Sequence, residues 1–103
     1  MSKSFDTQLI GTFTGSSGSS TLTATLESGQ DLTNLLKSGS DYEDIKVGSH
    51  YYCISAIGAV SSNTQALTIS HYRTTVGGSK SSGGLQATYS SEKAYRPRWS
   101  TVT

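Results

Sequence analysis

Two histidines, one cysteine and a short acidic run are the side chains here best equipped for chemistry, and their spacing argues against most of it. His50 and His71 stand among hydroxyl residues, with no Cys or acidic partner at metal-ligand spacing, so both read as strand-face histidines. Cys53 falls in the middle of a predicted strand, where a thiol packs as a small inert hydrophobe. As the single cysteine, it can form no internal disulfide. Asp41, Glu43 and Asp44 precede a strand, but calcium would need further oxygen ligands on a matching loop, so the run reads as a solvated loop. Serine is abundant at 20 residues, yet no GxSxG elbow and no Ser/His/Asp order is present. GSSGSS (15–20) and GGSKSSGG (77–84) lack the Gly-Lys-Ser/Thr ending and following helix of a phosphate cradle. The expectation is a protein with no catalytic residue, metal or cofactor.

The residues suited to binding lie near the C-terminus. Tyr95, Arg96, Pro97, Arg98 and Trp99 form the candidate protein-interaction site. Pro97 favours an extended path on both sides, and a bulky aromatic beside arginines has the profile of a contact hot spot. Two placements suit Trp99: docking on a neighbouring subunit, or folding back to close the domain's own end. Three cations within 93–98 make too small a footprint for specific nucleic-acid binding, and the formal charge of the chain is only +1. That charge is unevenly spread. Residues 1–60 carry three lysines against six acids, and residues 61–103 carry five bases against Glu92. Such polarity suits contacts between copies or neighbours.

The elements that must position these groups follow from the apolar spacing. One domain is the natural reading of 103 residues. Only 33% are hydrophobic, and Ser, Thr and Gly make up 45, so the core must be thin. Period-2 alternation argues for strands. A first strand is expected over 5–14, with Phe5, Leu9 and Phe13 inward, then a flexible turn at 15–20. TLTATL (21–26) is the plainest half-buried strand. In DLTNLLK (31–37), Leu32, Leu35 and Leu36 recur at i, i+3, i+4, Asp31 can cap and Gly39 can stop. This predicts a short helical turn plugging one end. Strands are expected at about 43–47, 50–60 and 65–72, with turns at Gly48-Ser49 and Ser61-Ser62-Asn63. A bulge near Ser55-Ala56 is expected to bring Ile57 inward. A mobile loop over 76–84 and a last strand at 85–89 complete a body of residues 1–90 that opens with an N-terminal arm. Residues 91–103 are expected as an extended tail. The fold class expected is all-β: a small antiparallel barrel or sandwich, SH3-like or similar. No apolar run approaches membrane-spanning length and no apolar signal segment opens the chain, so synthesis in a cytoplasm is expected.

The order GTFTGSSGSSTLTATL, DIKVGSHYYCISAI, ALTISHY, a Gly-rich run and LQATY resembles small β-modules of tailed-phage virion proteins. Ile45, Val47, Gly48, Tyr52, Ile54, Ile57, Leu67, Ile69 and Tyr72 occupy the matching places, over roughly residues 11–90. Residues 27–41 stand as an insertion, and the last dozen residues match nothing in that pattern. The resemblance implies a virion structural protein made in the host cytoplasm. Its partners would be the major capsid protein or other virion proteins, in a homo-oligomer or symmetric array. Capsid decoration or cement is the leading expectation, with a head–tail connector, neck or tail accessory protein as the alternative. A glycan-binding fibre module, stacking sugars on Tyr42, Tyr51 and Tyr95, is the reading from another class.

Overall fold

The computed structural model describes residues 2–33, 44–75 and 78–100, with side chains from residues 8 to 96 within those ranges. Every regular element among the described residues is a strand. They are β1 (Ser2–Gln8), β2 (Thr12–Gly15), β3 (Thr21–Thr25), β4 (Asp44–Val47), β5 (His50–Ile57), β6 (Thr64–Arg73), β7 (Ser81–Ser82), β8 (Tyr89–Glu92) and β9 (Ala94–Ser100). Hydrogen bonding orders them β1-β9-β4-β5-β6-β3-β2-β8, with β7 off this path on β6. Only Lys93 separates β8 from β9 in the chain, although the order places them near opposite ends of the sheet. The sheet therefore curls until its ends meet. The protein is all-β, an antiparallel barrel-like sheet, as its alternation predicts.

Apolar positions of that alternation build the interior. Phe13, Leu22, Ala24, Leu32, Ile45, Val47, Tyr52, Ile54, Leu67 and Ala94 are fully buried, and Leu9, Leu26, Ile69, Leu85 and Tyr89 nearly so. Burying one Leu, Ile or Phe side chain stabilises by about 1.5–3 kcal/mol, so few such residues suffice for a thin core. Gly48-Ser49 closes the β4–β5 hairpin, with Val47 paired to His50. Ser62 and Asn63 both take positive φ, 51° and 61°, the geometry of a tight hairpin turn. The expected bulge is present. Cys53 pairs with His71, Ile54 with Ile69 and Ala56 with Thr68, leaving Ser55 and Ser70 unmatched on their strands. Ile57 packs, half-buried, against the core.

Five expectations need correction. The single strand over 5–14 is two strands, because the chain turns at Gly11 with φ 82°. The segment 85–89 is not a strand until Tyr89. Leu85 instead exchanges backbone hydrogen bonds with the 15–20 turn, its N–H to Ser19 O at 2.8 Å and its carbonyl from Gly18 N–H at 2.7 Å. Those bonds pin a turn expected to be flexible. The strand expected to reach residue 60 stops at Ile57. The boundary at residue 90 cuts through β8, and residues 91–100 are sheet rather than tail: β8 pairs with β2, and β9 with β4 and β1. The predicted helical turn lies mostly outside the described residues. Its described part, Asp31–Thr33, is a bend that seats Leu32 in the core.

Candidate functional site

Residues 2–15 and 89–100 form one long antiparallel ribbon with a bend in its middle. Gly15 pairs with Tyr89 and Phe13 with Glu92 in its inner half; Gln8 pairs with Tyr95 and Ser2 with Ser100 in its outer half. Leu9 N–H to Ala94 O, at 2.8 Å, joins the halves. On its other side β9 meets β4 only through Ala94 and Tyr95. The next five residues of β9 have β1 as their sole strand neighbour among the described residues, a projection of about 16 Å. The molecule measures 44 × 28 × 24 Å along its principal axes.

This projection holds Arg96 to Trp99 of the candidate interaction site, and Tyr95 lies at its base, paired with Lys46 of β4. Tyr95 and Arg96 are half-buried, while the side chains from Pro97 onward fall outside the described residues. In backbone register Arg96 faces Thr7, Arg98 faces Ser4 and Trp99 faces Lys3. Between Arg96 and Arg98 the register slips by one, setting Phe5 and Asp6 against Pro97 alone. Proline has no amide hydrogen for the ladder, so a bulge opposite it spares a broken hydrogen bond.

Of the groups weighed for chemistry, Asp41 and Glu43 lie outside the described residues, and Asp44 and Cys53 are committed to structure. Asp44, Cys53 and Arg73 meet on the outer face of β4, β5 and β6. The Cys53 thiol donates to Asp44 Oδ1 at 3.1 Å, Arg73 forms a salt bridge with Asp44 Oδ2, and Arg73 Nε donates to Gly78 O at 2.9 Å. Burial, then the hydrogen bond and charge of Asp44, push the thiol from 9.0 up to about 11. A thiol held protonated in this way is a poor nucleophile. Inside the barrel the Tyr52 and Tyr89 hydroxyls lie 2.6 Å apart, and Gln86 N–H donates to Tyr52 Oη at 3.0 Å. Burial and that hydrogen bond raise the Tyr89 phenol above its ordinary value.

A third cluster surrounds Gln65, buried at 1% exposure. Its Oε1 accepts from Leu32 N–H at 2.8 Å, and its Nε2 donates toward Gly58 O, Asp31 Oδ1 and Thr33 Oγ1 at 2.8, 2.9 and 3.1 Å. Hydrogen bonds from Thr33 and Gln65 lower the Asp31 carboxyl below its ordinary value. His50 packs its ring against Tyr52 and Tyr72 with centroids 6.2 Å away in each case. His71 Nδ1 lies 3.0 Å from Ser70 Oγ. Among the described residues no three His, Cys, Asp or Glu side chains converge as a metal site.

Reading the sequence did not foresee the Gln65 cluster, since a glutamine inside an alternating strand carries no signal of burial. Ile45, Val47, Ile54 and Leu67, among the residues on which the resemblance to phage β-modules was drawn, prove to be barrel interior. Compared with known proteins, the chain matches no family model and shows no similarity to a curated protein or a solved structure.

Proposed function

We propose that this chain is a tailed-phage virion structural protein that decorates the capsid, with the β1/β9 ribbon as its contact element. The ribbon is the observation that carries the reading. It projects from the barrel, bears Tyr95 to Trp99, and ends the sheet at β1, whose outer edge has no strand partner among the described residues. A sheet edge of this kind can gain main-chain hydrogen bonds from an extended segment of another subunit. Aromatic and arginine residues on the adjoining strand suit the same contact. The barrel then serves as an inert spacer. Modest contacts repeated over many symmetry-related copies add up to firm attachment.

The test is to add purified chain to particles of the encoding phage that lack it, then count bound copies by mass spectrometry and locate them by electron microscopy. Many copies at local capsid axes are expected. A single ring at the portal vertex would make it a neck or connector protein, and absence from particles would overturn the reading.

A further inference from the structure

The ribbon divides at Pro97 into two parts with unequal support. On the barrel side Gln8 pairs with Tyr95, and β9 has β4 as a second neighbour through Tyr95–Lys46 and Ala94–Val47. Ala94 and Val47 are fully buried there, and Leu9 nearly so. Beyond the bulge the register holds Ser4 against Arg98, Lys3 against Trp99 and Ser2 against Ser100. No third strand reaches these pairs among the described residues.

A ribbon of two strands is marginal in water, and needs a third strand or a packed face to stand by itself. The bulge also cuts the outer pairs off from the barrel's support. Phe5 and Asp6 together oppose Pro97, which has no amide hydrogen to give the ladder. The regular pairing is thus interrupted between Thr7–Arg96 and Ser4–Arg98, so the order of the barrel is not passed outward bond by bond. Weakly supported pieces of this kind open as units of their own, at a free energy well below that of the core strands.

We infer that the outer half of the ribbon, Ser2–Ser4 with Arg98–Ser100, opens independently of the barrel in the free subunit and is closed by the strand that docks on β1. The docking strand supplies the missing third neighbour, so attachment and closure are one event. The inference deepens the proposed function by giving the regulation of its contact element, and its docking step rests on that reading. Ordering the ribbon at the moment of contact weakens each attachment. A single contact then stays reversible, and firm holding comes only from many copies together.

Hydrogen exchange of the full-length chain, followed by NMR, tests the opening. Ladder amides of the three outer pairs should exchange within about tenfold of an unfolded peptide, whereas those of Tyr95 and of β4 to β6 should be slowed at least about a thousandfold. A double variant, Ser2→Cys with Ser100→Cys, tests the coupling, because the two positions pair directly at a separation a disulfide can bridge. Cys53 is buried and stays out of the reaction. Oxidised, the variant should protect its outer amides and bind about tenfold more tightly to particles lacking the chain, and reduction should reverse both effects. Dispersed spectra of the two forms report an intact barrel. Outer amides as slow as that of Tyr95 in the free chain would overturn the inference, as would a disulfide that leaves particle binding unchanged or weaker. A chain that decorates particles with an outer ribbon already rigid sinks this inference alone. One whose outer half opens, but which joins no particle in either form, sinks the capsid reading while the independent opening stands.

Discussion

At Gln65 one buried amide holds three stretches of backbone together: the 31–33 bend, the end of β5 and β6 itself. Gln65→Ala would leave the buried Leu32 N–H without an acceptor and cost about 2–3 kcal/mol, read as a lower urea midpoint. Gln65→Glu should cost at least as much at neutral pH, because it sets a second carboxylate against Asp31 and removes the donor. Cys53 gives a prediction of the opposite pH sense. Its folded value lies above its ordinary 9.0, so its stabilisation is complete below pH 9.0 and declines as pH rises toward about 11. Tyr89, also raised, adds loss in the same direction above its ordinary 10.0. Urea midpoints measured from neutral to alkaline pH should fall across this window. Cys53→Ser, which keeps a donor for Asp44 but does not titrate there, should flatten the first part of that fall. The same thiol should resist a thiol-reactive dye until the protein is unfolded.

Among the elements, β3 to β6 were legible in sequence because each buries one face, and burial enforces strict alternation. TLTAT, DIKV and TQALTIS could be placed from their apolar positions alone, and the serine bulge on β5 from a single phase slip. The ribbon was not legible, for two physical reasons. Gly11 breaks β1 from β2 inside a run that otherwise alternates, and nothing in FDTQLIGTFT distinguishes a corner from a straight strand. The segment 89–100 pairs across nearly the whole chain, and no local pattern announces a partner so distant. Gly11→Ala tests the corner. A Cβ there would lie 2.6 Å from Thr25 O and 2.8 Å from a Leu26 methyl, at a φ of 82°. The cost should be about 1–3 kcal/mol from backbone strain, with further loss from the clash. Thermal melting measures it, and the amides of β1 and β2 should exchange fastest in the variant.

For the whole molecule, the segment singled out as a candidate contact is a strand rather than a tail: Tyr95 to Trp99 lie in β9, which helps to close the sheet. Removing residues 91–103 deletes β9 and the fully buried Ala94. It also strips β4 and β1 of a strand neighbour. The truncated chain should lose its strand signal by circular dichroism and its dispersed NMR spectrum, rather than remain folded and merely fail to bind. With Ser2 registered against Ser100, the last pairing of the sheet spans almost the full sequence, so closure must await synthesis of the distal strand and will be slow for so small a domain. Under the proposed function, a copy cut short before β9 would lack the projection altogether and be left out of the particle without any separate proofreading step.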